Sequence, residues 1–271
     1  MMFDNTSEDK HQKATTRGTT AQNKGEHHMP VALITGASLG LGAALATELA
    51  QRGWSLVVDA RRADRLDALV HGLEPGSVTA LPGDVADPAH RDSLLAAVQR
   101  HGRLDLLVNN ASRLGPSPLP HLADYPLDEL ASVFEVDVLA PLALIQLHRP
   151  LLMATAGAIV NITSDAAVEA YEGWGGYGSA KAALDQVSAV LAVEEPALHV
   201  YAFDPGDMRT EMHQQAYPGE DISDRPTPGS VIPALLSLVD SHRPSGRYRA
   251  RDIQVTTGSP NMDTLSTGLS R

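Results

Sequence analysis

The sequence predicts a single α/β domain built on a doubly wound, mostly parallel seven-stranded sheet with helices on both faces. Three observations carry this reading. From residue 31 onward, short β-branched runs alternate with helix-length amphipathic segments, and strand-then-helix repetition is the pattern of a parallel sheet wrapped by crossover helices. Runs such as LDLLV and AIVNI are apolar almost throughout, as strands covered on both faces are. A glycine-rich turn, TGASLGLG, separates the first such run from the first helical segment.

Taken in order, VALIT (31–35), SLVVDA (55–60), SVTAL (77–81), LDLLVNN (104–110), AIVNIT (158–163) and HVYAFD (199–204) read as strands. The stretches 40–52, 62–71, 88–101, 127–153 and 175–195 read as helices between them. RYRARDIQV, near 247–255, supplies a weaker seventh strand. Residues 1–28 are polar and nearly free of large apolar side chains, so a disordered leader is expected there. The domain then spans 29–256, and 257–271 is expected to be a flexible tail.

Composition excludes several classes of function. The 271 residues include no cysteine, which removes disulfides and thiolate metal sites and suits a reducing, cytoplasmic setting. The eleven histidines fall into no ligand spacing such as HExxH, so no metal site is expected. With 21 Lys and Arg against 33 Asp and Glu the net charge is −12, unfavourable for holding a nucleic-acid backbone. No uninterrupted apolar run approaches the ~20 residues that span a bilayer, so no membrane association is expected.

In a doubly wound sheet, ligands bind at the carboxyl ends of the strands. After the first strand, Gly36, Gly40 and Gly42 allow a tight turn and close approach of backbone to a pyrophosphate, with the following helix N-terminus supplying free N–H groups. The loop residues Gly36, Ser38, Leu39, Gly40, Leu41 and Gly42 are therefore assigned to a dinucleotide. The second strand ends in DARR, where Asp59 and Arg61 compete for the ribose position. Strand alternation puts Ala60 where an NAD-binding acid would stand, leaving Arg61 and Arg62 to meet a 2′-phosphate. NADP(H) is favoured and NAD(H) remains an alternative; the two arginines also read as solvated charges at a helix entry.

In order along the chain stand TGASLGLG, GDV (83–85), NNAS (109–112), the serine of NITSD, YGSAK (177–181) and DPGDMRT (204–210). This ordered set resembles the short-chain dehydrogenase/reductase family over roughly residues 30–255, which implies a Rossmann-like fold and oxidoreductase activity. The resemblance implies that Asp84 and Val85 flank the adenine, that Asn109, Asn110 and Ala111 line the cofactor, and that Pro205, Gly206, Met208 and Thr210 border its nicotinamide side. It further implies a homodimer or homotetramer associating through the long helices at 127–153 and 175–195.

Tyr177 and Lys181, four residues apart on a helix, share a face. A nearby cation stabilises the phenolate; lowering a tyrosine pKa from ~10 by about three units takes roughly 4 kcal/mol. Tyr177 is read as the acid/base, Lys181 as its activator and a contact to the nicotinamide ribose, and Ser164 as the group that bonds the substrate oxygen. Two positions depart from the family pattern: Asp137 stands where an asparagine is usual, and Ser112 where a glycine is usual. Asp137 is expected to offset the field of Lys181 and raise the Tyr177 pKa; Ser112 is given little weight.

Substrate contacts are expected from 112–126, 169–176 and 207–228, the last read as a mobile lid. Trp174, Met208, Met212 and Tyr217 form an apolar wall in this reading, with His213 and Arg209 as polar handles, for a small, moderately apolar ketone or alcohol. Arg243, Arg247, Arg249 and Arg251 read as a solvated strand edge or an interface. Two other functions fit the same motifs: a non-redox dehydratase or isomerase of this fold, and a non-catalytic NADP-binding sensor or scaffold.

Overall fold

A computed structural model of the chain describes residues 29–74 and 76–255. The expected leader and tail lie outside the described residues. Seven parallel strands form one sheet in the order β3-β2-β1-β4-β5-β6-β7. They are β1 (Val31–Ile34), β2 (Ser55–Ala60), β3 (Val78–Pro82), β4 (Leu106–Asn109), β5 (Ala158–Ile162), β6 (His199–Asp204) and β7 (Gly246–Arg249). β1, β2, β4 and β5 are buried along their whole length, which explains their unbroken apolar sequences. The chain order reverses between β1 and β4, and the crevice beyond their carboxyl ends is where such sheets bind ligands.

The helices are α1 (Gly40–Gln51), α2 (Ala63–His71), α3 (Pro88–Gln99), α4 (Leu127–Phe134), α5 (Ala140–Thr155), α6 (Gly175–Glu194), α7 (Glu211–Ala216) and α8 (Ile232–Asp240). On one face Leu41, Leu45 and Leu49 of α1 share a core with Leu66 of α2 and with Leu235 and Leu238 of α8. On the other, Leu94 and Val98 of α3 meet Leu144, Ile145 and Leu152 of α5.

The structure adds to and corrects the sequence reading. The segment 207–228 contains a helix that the sequence reading did not list: Thr210 caps α7, its hydroxyl accepting the His213 N–H at 3.2 Å. Helix α8 was not expected at all; its proline, Pro233, lies in the first turn, where no intrahelical N–H is required. β7 ends at Arg249 rather than near 255, because its partner β6 ends at Asp204, paired with Arg249. The continuous helical stretch Leu127–Thr155, 29 residues long, is long and apolar enough by composition to cross a membrane, although Glu135, Asp137 and Arg149 interrupt its apolar run. Here it packs against α3, α6, β4 and β5.

Two features join β1 to β4 at the crevice. The buried Thr35 hydroxyl accepts the Asn110 and Ala111 N–H groups, each at 3.0 Å, and donates to the Val108 carbonyl at 3.3 Å. Asn110 returns the bond, its amide donating to the carbonyls of Thr35 (2.8 Å) and Gly36 (3.0 Å). Thr35→Val keeps the shape but leaves two part-buried N–H groups without their acceptor, each costing about 1–3 kcal/mol. Urea unfolding of that variant is expected to show a loss of at least about 2 kcal/mol, concentrated in the midpoint rather than the slope.

Candidate active site

A cavity of about 560 Å³ opens along the carboxyl ends of β1, β2, β4, β5 and β6, within the size range of small-molecule sites. At one end lie Gly36, Ser38, Leu39, Gly40 and Leu41, followed by Ala60, Arg61, Arg62, Asp84 and Val85. Asn110, Ala111, Pro205, Gly206, Met208 and Thr210 occupy its middle, and Ser164, Trp174, Tyr177, Lys181, Met212 and His213 its other end. Most residues assigned from the sequence thus line one cavity.

Five assigned residues stand elsewhere. Arg209, expected as a polar handle, is exposed outside the cavity, its N–H donating to the Pro226 carbonyl at 2.8 Å. Gly42 faces the loop, not the cavity: a Cβ there would lie 2.5 Å from the Gly36 carbonyl and 2.6 Å from the Asn110 amide. Its absence lets α1 pack against the turn. Asn109 is buried and spent between strands, its amide donating to Asn161 Oδ1 at 2.7 Å. Tyr217 sits behind the wall, its ring 6.1 Å from Trp174 and 5.0 Å from His213. Asp137 is fully buried beneath the cavity rather than in its wall.

The glycine turn fits a dinucleotide. Gly36 and Gly40 adopt φ of +64° and +56°, conformations that suit glycine, and a Cβ on Gly36 would reach 2.8 Å from Ala111 Cα. At the end of β2 Asp59 is 1% exposed, accepting the Gly36 N–H at 3.0 Å and facing His90 Nε2 at 3.1 Å. Burial pushes its carboxyl up, against the His90 and Gly36 hydrogen bonds that pull it down. Arg62 is paired with Asp64 at 2.7 Å and Arg65 with Glu211 at 2.7 Å. Arg61 is exposed at the cavity with no ion-pair partner among the described residues.

At the other end, α6 begins next to β5 and carries Tyr177 and Lys181, one turn apart. Lys181 is 2% exposed; its ammonium lies 5.4 Å from the centre of the Tyr177 ring. It donates to the Ile162 carbonyl at 3.0 Å and pairs with Asp137 Oδ1 at 2.8 Å. Asp137 lies in a π-helical turn, Glu135–Leu139, between α4 and α5. Such turns recur at functional sites because they re-aim side chains. Its carboxylate also accepts the Ser112 hydroxyl and, at 3.0 Å, the Arg113 N–H. The two departures from the family pattern are therefore one feature: Ser112 and Asp137 bond each other.

Burial weakens the Lys181 ammonium, but Asp137 and the Tyr177 oxygen outweigh it and hold its pKa above the usual value. For Tyr177, burial adds to the opposition of Lys181 and Asp137 that the sequence argument described. Burial raises the phenol; Lys181 lowers it, Asp137 raises it, a Ser112 hydrogen bond lowers it and Asp204 raises it, leaving it above the ordinary tyrosine value. Ser164 follows β5, its hydroxyl donating to Asp165 Oδ1 at 2.9 Å and accepting the Ala166 N–H at 3.2 Å. Trp174 meets Tyr177 edge-on at 5.7 Å, and with Leu114, Met212 and Ala166 makes the apolar wall.

Three donors converge on Asp137, so an acceptor-only carboxylate satisfies all of them where an amide would present N–H groups. Asp137→Ala leaves Lys181 buried and unpaired and is expected to lose about 3–5 kcal/mol in chemical denaturation. Asp137→Asn removes a charge that pushes Tyr177 up, so its pKa is expected to fall. A group that must be protonated to work then loses activity at lower pH as pH rises. A pH profile on the basic side that does not move would contradict this balance of charges.

The short chain dehydrogenase family matches residues 30–221. The sepiapterin reductase of Rattus norvegicus is 35% identical over 204 residues, covering 69% of this chain and 77% of that one. The benzil reductase ((S)-benzoin forming) of Saccharomyces cerevisiae is 31% identical over 215 residues, covering 76% of this chain and 80% of that one. A short chain dehydrogenase from Shigella flexneri, solved complexed with NADP, superposes with a TM-score of 0.76 at 26% identity, covering 82% of this chain and 97% of that one.

Proposed function

The chain belongs to the short chain dehydrogenase family of oxidoreductases, and on that premise we propose that it reduces a small, moderately apolar ketone with NADPH, Tyr177 giving the proton. The observation that carries the reading is the single cavity joining the glycine turn and Arg61 to Ser164, Tyr177 and Lys181. Bound there, the dinucleotide supplies the hydride. Gly36 and Gly40 with the α1 N-terminus would hold the pyrophosphate, and Arg61 a 2′-phosphate.

The residues divide the remaining work. The substrate oxygen accepts a hydrogen bond from Ser164, whose hydroxyl turns from Asp165 to give it, and then the proton of Tyr177. Lys181, held charged by Asp137, stabilises the phenolate left behind. Leu114, Trp174 and Met212 support an apolar body on the substrate, in keeping with relatives named for reduction of sepiapterin and benzil. Association through the long helices has apolar support in Leu139 and Val193, 52% and 79% exposed.

Nicotinamide fluorescence during titration tests the cofactor. Arg61→Ala is expected to weaken NADPH binding on the order of 10-fold or more while NADH binding changes little, since a charge-assisted bond to phosphate is lost and nothing else. Equal weakening for both nucleotides would show that Arg61 does not read the 2′ position. Tyr177→Phe is expected to bind NADPH normally and lose at least about 10²-fold in kcat, the usual contribution of a positioned proton donor. A variant that keeps its turnover would return the site to a binding role.

A further inference from the structure

Arg247, taken from the sequence as part of a solvated strand edge, lies under the site. It stands in β7 opposite Ala202 of β6 and is 23% exposed. Its guanidinium makes three bonds to three different elements. Nε donates to Asp185 Oδ2 at 2.9 Å, on α6 one turn beyond Lys181. Nη2 donates to the backbone carbonyl of Ser164 at 2.8 Å and to Asp204 Oδ2 at 3.2 Å. The other oxygen of Asp204 accepts the Gly206 N–H at 2.9 Å, closing the turn in which Gly206 adopts φ of +73° at the cavity.

We propose that Arg247 is a positioning residue for the reaction: one guanidinium locks Ser164 after β5, the Asp204 turn after β6 and helix α6 to one another. The inference rests on the function proposed above. A planar fork with fixed donor directions suits this task, because it sets angles as well as distances between the groups it joins. The residue has a second consequence through charge. Tyr177 is faced by Lys181 from its own helix, by Asp137 from the π turn, by Ser112 from the loop after β4 and by Asp204 from β6. Arg247 neutralises Asp204, which is 5% exposed and pushes the phenol upward.

The test compares wild type, Arg247→Lys and Arg247→Met in the full chain, with kinetics over a carbonyl panel and amide hydrogen exchange side by side. Arg247→Lys keeps the charge and loses the fork. Its kcat is expected to fall on the order of 10-fold, with KM for NADPH unchanged and the basic side of the pH profile in place. Arg247→Met loses both; kcat falls on the order of 10²-fold, as a displacement of about 1 Å at a reacting group produces. Its basic limb moves to higher pH, since protonated Tyr177 is required and an unpaired Asp204 raises the phenol. Exchange is expected to quicken together at Ala166, Gly206 and the start of α6, with β2 unchanged.

Wild-type kinetics in both variants, or exchange that quickens only in β7, overturns the clamp. If Arg247→Met does not fold, Arg247→Lys decides by kcat and exchange. If wild type consumes no NADPH with any carbonyl, the proposed function fails, and exchange in the three segments then decides whether the clamp exists.

Discussion

An ammonium group buried to 2% exposure must be paired, and most of the site's geometry follows from how Lys181 is paired. The Ile162 carbonyl and the Asp137 carboxylate hold it from two sides. The first fixes α6 to the end of β5. The second fixes it to the turn between α4 and α5, which in turn holds the loop after β4 through Ser112 and Arg113. Tyr177 shares the helix, so its position is settled by the same bonds.

The pairing that fixes geometry also sets chemistry. A lysine beside a buried phenol would alone favour the phenolate; the sequence argument set Asp137 against it but left out the burial of the phenol itself. Asp137 spends part of the lysine's field, and burial opposes any new charge, so the phenol is held in its protonated form. The same carboxylate therefore makes Lys181 permanent and Tyr177 a proton donor. Removing it loosens both constraints at once.

Much of this was legible in the sequence, for physical reasons that differ by element. β2 and β6 stand at the bounds read from their apolar runs, because strands buried on both faces leave no polar ambiguity. Tyr177 and Lys181 were legible because a helix brings residues four apart together. The partners of Asp59 were not legible: its carboxylate accepts the Gly36 N–H and faces His90, both distant in sequence. The bond between Ser112 and Asp137 spans 25 residues, and no local period reports it. Two departures from a pattern that occur together are the only trace it leaves. Arg247 was misread for a similar reason: its partners at Ser164, Asp185 and Asp204 are brought near only by the order of the strands. The π turn was hidden as well, since one added residue per turn barely disturbs an apolar period.

Three carboxylates buried along the crevice solve one problem in the same way. Asp59 accepts the N–H of Gly36 after β1, Asp137 that of Arg113 after β4, and Asp204 that of Gly206 after β6. Each is balanced by a basic side chain from another element: His90, Lys181 and Arg247. Loops at strand ends have free backbone donors and no ladder to satisfy them, so they would otherwise drift or be hydrated. A carboxylate anchored from a neighbouring element fixes the loop without covering the face it turns to the cavity. The desolvation of each acid is offset by its partner and its N–H bond together, and losing either exposes the full cost. The crevice is thereby shaped before anything enters it, so binding need not also pay to order these loops.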